Sequence, residues 1–409
     1  MNLRFEKCVP GGCLFVPPSK SMIHRALITS SYFDSITALY NYKDCDDTSA
    51  TSDCLKELGV SILDNGSFFS VKGSGSRVKK SRNFNCRQSA STLRFMLPVS
   101  LVLGRGGCFS GDKRLIDRIG DEELNIFRKN GIVIFRTNDM IYCDGVLQSG
   151  EYTVDGSVSS QWVSGLLMSL PFCDGNSIIT VKNGLNSKPY VDMTLDVLRA
   201  FDINVKNADY QRFYITGGNR VNGKSSAIRE ISVEGDYSAA AALLSYEVLG
   251  GKIELKGLNR NSVQGDRVFF DYLEIMKHGI LDVDVSDTPD LVPSVMVCAS
   301  LLNGCRLRGI SRLKFKESDR VAVTMRELSK FGAVCELLQD SVIVYPCVPK
   351  TPAEAVVCEN DHRIAMAFAP LLCKTGGVLC GCECVSKSYP AYFDDIKKLG
   401  VSFAEVIGE

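Results

Sequence analysis

The chain reads as an α/β protein of two pseudo-symmetric domains, each assembled from three related units. Three observations lead there. A joint made of a helical pattern, a Gly-type stop and a β-branched run occurs six times. The joints are spaced at near-regular intervals, and 409 residues with 45% apolar content suffice for two sizeable cores.

The first joint is Leu55-Lys56-Glu57-Leu58-Gly59-Val60 and the second Phe127-Arg128-Lys129-Asn130-Gly131-Ile132. The third, Leu198-Arg199-Ala200-Phe201-Asp202-Ile203, has Asp in the Gly place. The last three are Met276-Lys277-His278-Gly279-Ile280, Leu328-Ser329-Lys330-Phe331-Gly332-Ala333 and Ile396-Lys397-Lys398-Leu399-Gly400-Val401. Gly suits the left-handed residue that ends a helix, and Asp is a tolerated substitute. The Val-Ile runs that come next read as strands. The Gly or Asp positions lie 72, 71, 77, 53 and 68 residues apart. That period is too long for a simple solenoid and fits three units in each of two domains.

Composition narrows the function. Lys plus Arg and Asp plus Glu number 47 each, so no overall field attracts nucleic acid or an acidic membrane. Any anion site must come from local arrangement. No apolar run approaches a membrane span, and Leu291 to Leu302 reads as buried core. The segment Met1 to Lys7 lacks the hydrophobic region of a signal peptide, which leads us to expect a cytoplasmic protein. The 17 cysteines are odd in number and contain no Cys-x-x-Cys, so they read as reduced, mostly apolar fillers. Cys380, Cys382 and Cys384 alternate as if on one strand face, a poor spacing for zinc. Only three histidines are present, and no metal site is expected.

The candidate chemistry lies at helix starts. Lys316-Glu317-Ser318-Asp319-Arg320 precedes Val321, Met325 and Leu328, which have helical spacing. Lys316 and Arg320 at the positive end of a helix favour a phosphate or carboxylate. Glu317 is then a carboxyl group inside a cationic nest. Pro17-Pro18-Ser19-Lys20-Ser21 opens a second helix, with Ser19 or Ser21 as cap and Lys20 and Arg25 near its start. Gln88-Ser89-Ala90-Ser91-Thr92 before Arg94, and Ser159-Ser160-Gln161 before Trp162 to Leu170, offer further donors. Ser187-Lys188-Pro189-Tyr190 reads as a turn presenting polar groups, and Arg118 follows Arg114 on a polar stretch. Asp361-His362-Arg363 opens the apolar run Ile364 to Leu372, and Lys387-Ser388-Tyr389-Pro390 closes the set. Asp44, Asp46 and Asp47 read as helix capping, not as a metal site. Gly73 to Arg77 reads as a hairpin turn.

Taken in order, Lys20-Ser21-x-x-x-Arg25, Ser159-Ser160-Gln161, Glu234-Gly235-Asp236-Tyr237-Ser238-Ala239-Ala240, Thr288-Pro289-Asp290, Lys316 to Arg320, Asp361-His362-Arg363 and Lys387 to Pro390 form one array. It closely resembles the 5-enolpyruvylshikimate-3-phosphate synthase family over essentially the whole chain. The resemblance implies the enolpyruvyl transferase fold, inverse α/β barrel-like, with three βαβαββ units per domain. It places residues 1–18 and 230–409 in a discontinuous first domain, 19–229 in a second, and the active site in the cleft between them. The implied reaction transfers the enolpyruvyl group of phosphoenolpyruvate to the 5-hydroxyl of shikimate 3-phosphate and releases phosphate.

By the same resemblance, Lys20, Ser21, Arg25, Ser159, Ser160, Gln161, Ser187, Tyr190, Asp290 and Lys316 hold shikimate 3-phosphate. Lys20, Ala90, Arg118, Gln161, Arg320, Arg363 and Lys387 hold phosphoenolpyruvate. Asp290 is the candidate base for the hydroxyl and Glu317 the candidate acid for the methylene carbon, with Lys20 as an alternative proton carrier. No metal or organic cofactor is implied, and the expected partners are the two small molecules, met by a monomer. Substrate binding is expected to close the cleft, which small-angle scattering with shikimate 3-phosphate would detect as compaction.

Two departures stand out. Ala90 and Gln88 occupy places where the family usually has Gly and Asn or Glu, so the extra methyl implies reduced sensitivity to the inhibitor glyphosate. Ile119 follows Arg118 where Pro is common. Among rivals, a UDP-N-acetylglucosamine enolpyruvyl transferase would use a mobile-loop Cys, absent from Lys113 to Arg118. A non-catalytic anion-binding relative would have lost Lys20, Asp290 or Glu317, and a nucleotide kinase would show a P-loop.

Overall fold

The computed structural model describes residues 1–73, 82–219 and 228–406. They fall into two compact units, Met1–Pro17 with Gly235–Glu409, and Pro18–Glu234.

The second unit contains three four-stranded sheets on one plan, in which a parallel pair is extended by two antiparallel strands. Arg229–Ser232 lies beside Thr37–Tyr40, then Phe68–Lys72 and Ser61–Asp64. Asn83–Asn85 lies beside Gly106–Ser110, then Met140–Asp144 and Val133–Arg136. Glu151–Asp155 lies beside Ser177–Lys182, then Arg212–Ile215 and Val205–Ala208. A helix crosses between the parallel strands of the second and third sheets and a short hairpin closes each sheet, so the chain order is βαβαββ. In the first of these sheets the opening strand is supplied from the far end of the unit, by Arg229–Ser232.

The first unit repeats the same plan. Leu281–Asp284 pairs in parallel with Cys305–Arg308, followed by Ser341–Val344 and Cys335–Leu337. Val356–Val357 pairs with Gly377–Cys380, and the chain termini finish that sheet, Asn2–Phe5 lying between Gly377–Cys380 and Phe403–Glu405. The third sheet is the parallel pair Gly12–Phe15 and Ile253–Lys256 among the described residues.

Within each unit the helices are the inner layer. Ala90–Leu103, Ser160–Ser169, Val292–Leu301 and His362–Thr375 are buried along most of their length. The strands alternate buried and exposed residues, as in Glu151–Asp155 and Cys305–Arg308, so one sheet face meets water. One glycine sets the closeness of this inner packing. A Cβ on Gly165 would lie 2.7 Å from the Arg94 carbonyl oxygen, so only Gly lets Ser160–Ser169 approach Ala90–Leu103 this closely.

Five of the six stop residues, Gly59, Gly131, Asp202, Gly332 and Gly400, have positive φ between 63° and 87°. Gly279 does not; it is extended, with φ −175°. The reason is topological. Four of them feed the outer strand of a hairpin, which demands a sharp reversal, and Gly400 feeds the edge strand Phe403–Glu405, which pairs with Asn2–Phe5. Helix Phe269–His278 leads instead into Leu281–Asp284, which opens a new parallel pair. The alternating cysteines also differ from expectation: the strand stops at Cys380, and Cys382–Lys387 is a 3-10 helix. Ser74 to Arg77 of the expected hairpin turn lie outside the described residues.

Candidate functional site

In the second unit, the helices Lys20–Ser30, Ala90–Leu103, Ser160–Ser169 and Lys188–Ala200 carry the residues that sequence singled out. Lys20 is the first residue of its helix and its ammonium lies 2.7 Å from Asp47 Oδ2, with both side chains mostly buried. Arg25 is buried and fully engaged. Its Nε donates to Thr194 Oγ1 at 2.8 Å, and its two terminal nitrogens donate to the carbonyls of Ser21 at 2.7 Å and Tyr190 at 2.8 Å. Its cation stands 5.1 Å from the Phe95 ring centre, and burial lowers its pKa to about 10. Thr194 in turn donates to Ser164, which ties these helices together.

Ser159 caps its helix by accepting from the Gln161 backbone at 3.2 Å. The Gln161 amide is fixed at both ends: its nitrogen donates to Ser91 Oγ at 2.9 Å and its oxygen accepts from Arg94 at 3.2 Å. Ala90 is the first residue of the helix capped by Ser89. Arg118 ends the short helix Lys113–Asp117. Ser187 to Tyr190 is not a free turn. Ser187 sits at the N-cap with φ 56°, and Pro189 is tolerated in the first helical turn, so Lys188 and Tyr190 are helical.

The first unit gathers a denser charge cluster. Arg320 opens the helix Arg320–Ser329, which the spacing of Val321, Met325 and Leu328 predicted, and Asp319 caps it. Its side chain reaches Asp290 Oδ1 at 2.6 Å and Asp361 Oδ2 at 3.0 Å. Arg363 holds the other Asp290 oxygen at 2.9 Å. Burial by itself would raise the Asp290 pKa, but Arg363, Arg320 and Lys316 outweigh it and hold the carboxyl well below its usual range. Asp361 is wholly buried; it also accepts from Ser318 Oγ at 3.0 Å and from the backbone of Arg363 at 2.9 Å, capping the helix His362–Thr375. Glu317 Oε2 is hydrogen-bonded to His362 Nδ1 at 2.9 Å, and Lys387 donates to the Asn360 carbonyl. Behind this cluster, Asp266 accepts from Ser238; its pKa is pushed up to about 7, by burial and then by the Asp290 charge.

Glu317, Asp361 and His362 bring three possible metal-ligand atoms within 4.8 Å of one another. Asp361 already serves Arg320, Ser318 and a helix N-terminus, so a cation there would compete with an internal arginine for the same carboxylate. The chemistry of this donor set suits proton transfer better.

Several of these groups carried no sequence signal of their own. Asp47 reads as a cap, yet the cap box of Asp46–Glu57 is made by Thr48, and Asp47 serves Lys20. Asp361 and His362 are legible as a helix start, but their partners Arg320 and Glu317 are not. Asp266 has no sequence signal, because a single carboxylate in a run of ordinary composition has no pattern to reveal it.

A family model described as EPSP synthase (3-phosphoshikimate 1-carboxyvinyltransferase) matches residues 11–396. A 3-phosphoshikimate 1-carboxyvinyltransferase of Clostridium acetobutylicum is 36% identical, over 97% of each chain. The chain belongs to the EPSP synthase family. An enzyme of the same name from Clostridium kluyveri is also 36% identical, over 95% of each chain. Among solved structures, an EPSP synthase from Acinetobacter baumannii superposes with a TM-score of 0.79 at 20% identity, over 98% of this chain and 99% of that one. The enolpyruvyl transferase NikO from Streptomyces tendae gives 0.76 at 14% identity, over 98% of both chains. These two establish the enolpyruvyl transferase fold. As an EPSP synthase family member the chain is a transferase of the shikimate pathway, and the UDP-N-acetylglucosamine alternative is not favoured. Among the described residues no helix is long and apolar enough to cross a membrane.

Proposed function

We propose that the two clusters serve one addition–elimination on shikimate 3-phosphate and phosphoenolpyruvate, in a cytoplasmic monomer. In this reading Lys20, Ser21, Arg25, Ser159, Ser160, Gln161, Ser187, Tyr190, Asp290 and Lys316 hold shikimate 3-phosphate. Lys20, Ala90, Arg118, Gln161, Arg320, Arg363 and Lys387 hold phosphoenolpyruvate. The observation that carries it is the clamp of Arg320 and Arg363 on the two oxygens of Asp290.

While clamped, Asp290 is ionised but a weak base, because two guanidinium groups stabilise its charge. An anionic phosphoenolpyruvate competes for the same guanidinium groups, to which it can make paired hydrogen bonds. As the arginines turn to the ligand, Asp290 recovers proton affinity at the moment it is needed. It then takes the proton of the 5-hydroxyl. Glu317, supported by His362, delivers a proton to the methylene carbon, with Lys20 as the alternative carrier. Carbon 2 becomes electrophilic and the hydroxyl oxygen adds to it. The tetrahedral adduct then expels phosphate and returns a methyl proton, restoring the double bond.

The test is phosphate release from the purified protein with both substrates, with Glu317→Gln as control. Release that needs both substrates and falls at least a hundredfold in the variant supports the reading. Full turnover by Glu317→Gln removes Glu317 from the proton path, and binding without release points to the non-catalytic relative.

A further inference from the structure

We propose that Glu123 is a positioning residue for phosphoenolpyruvate, holding Arg94 so that Arg94 in turn fixes Gln161 and the backbone at Arg118. The proposal rests on the assignment of Gln161 and Arg118 given above.

Glu123 is the third residue of the helix Asp121–Arg128. One of its oxygens, Oε1, accepts from the Gly120 backbone at 2.9 Å, an ordinary helix-start bond. The other has no part in the helix. Oε2 accepts from Arg94 Nε at 3.3 Å and from a terminal nitrogen of Arg94 at 3.2 Å, and it also takes the indole N–H of Trp162. Both charged side chains are at most 10% exposed, so the guanidinium is a buried cation that needs its counter-ion. Arg94 spends its remaining donors on the site: one reaches Gln161 Oε1 at 3.2 Å, and another the Arg118 carbonyl at 3.4 Å.

Ile119 follows Arg118 where the family commonly has Pro. A proline ring after Arg118 would stiffen the backbone by itself. Here three side chains do so from outside. Arg94 holds the carbonyl of Arg118, Arg136 holds that of Ile119 at 2.9 Å, and Glu123 holds the Gly120 N–H. Glu123 is the member that touches both this segment and Arg94. It also fixes the sense of the Gln161 amide, because Arg94 can only donate and so keeps Oε1 on its own side and the amide nitrogen toward Ser91.

Trp162 is the only tryptophan in the chain, so intrinsic tryptophan emission reads this cluster directly. The experiment compares the full-length protein with Glu123→Gln, in which the amide oxygen can still cap Gly120 but no longer neutralises Arg94. The expected result is a tenfold or greater rise in KM for phosphoenolpyruvate with kcat within threefold, a smaller change in KM for shikimate 3-phosphate, and a shifted emission maximum without ligand. Equal KM values in the two proteins overturn the proposal, even if the emission shifts, because Glu123 is then only a helix cap and indole partner. Wild-type turnover in the same assay tests the functional reading separately. Should Glu123→Gln not fold, Arg94→Lys keeps the charge without the fork of donors. It must give the same KM pattern, and an unchanged KM there overturns the proposal equally.

Discussion

Asp361→Asn separates charge from shape at the most buried carboxylate of the site. The wild-type side chain has no exposure and accepts from Arg320 Nε, Ser318 Oγ and the Arg363 backbone at 3.0, 3.0 and 2.9 Å. Asparagine matches its volume and can still cap the helix through one oxygen. It cannot neutralise Arg320, whose side chain is 3% exposed. Breaking a buried ion pair from one side costs about 3–5 kcal/mol. Arg320 keeps Asp290 at 2.6 Å, which argues for the lower end, about 3 kcal/mol. Alanine would add the lost cap, about 1 kcal/mol more.

The same change alters chemistry. With Asp361 neutral, Arg320 gives its whole charge to Asp290 and tightens the clamp, so the base is weaker still. About half of the 3 kcal/mol is thus felt in the transition state, and since about 1.4 kcal/mol is tenfold in rate, kcat/KM falls by roughly tenfold. Urea unfolding at pH 7 reads the first effect and phosphate-release kinetics the second. A loss of stability under about 1 kcal/mol together with kcat/KM within threefold of wild type would refute the reasoning.

Neighbouring contacts set three more expectations. Asp47→Asn leaves Lys20 without its carboxylate partner and should cost about 1.5–3 kcal/mol of stability and at least tenfold in kcat/KM, read by denaturation and steady-state kinetics. Asp266→Asn tests linkage: a carboxyl with a folded pKa of about 7 and an ordinary unfolded value stabilises the fold at low pH and loses that contribution as pH rises between about 4 and 7. Wild type minus variant stability should therefore fall from pH 4 to pH 8, and a difference that is flat with pH would sink the assignment. Ala90→Gly removes one methyl at the first residue of its helix and should lower the glyphosate concentration for half inhibition about tenfold or more, since a methyl in a pocket is worth about 1–3 kcal/mol. Unchanged inhibition would show that Ala90 does not face the inhibitor.

The joints were readable because a left-handed stop before a β-branched run is written in consecutive residues. Gly59 and Asp202 behave as read, while Gly279 looks identical in sequence and is extended, since the helix there runs on into a parallel strand. Helix starts such as Ser159-Ser160-Gln161 and Asp361-His362-Arg363 were legible for the same local reason. Pairing across long separations could not be read. Lys20 meets Asp47 27 residues away, and Arg363 meets Asp290 73 residues away. Nothing in either segment names its partner; only the packing of the helices brings them together.

That pairing has a chemical consequence. Cations assigned to the anionic substrates already hold internal acceptors: Lys20 has Asp47, Arg25 has the Ser21 and Tyr190 carbonyls, Arg320 has Asp290 and Asp361, Arg363 has Asp290, and Lys387 has the Asn360 carbonyl. In the proposed mechanism, substrate binding is then an exchange of partners in each cluster, not the filling of an empty cationic pocket. Such exchange gives up part of the Coulombic gain, since each new bond replaces an old one. In return, each carboxylate that loses its cation gains proton affinity as its substrate arrives. In that mechanism Asp290 is released by the ligand that will need its base, so a weak resting base and an active bound one are the same residue in two charge environments. A single constant pKa for Asp290 cannot describe both. The acidic limb of kcat should therefore lie at higher pH than the titration of Asp290 in the free protein, and coincidence of the two would mean that the arginines never leave it.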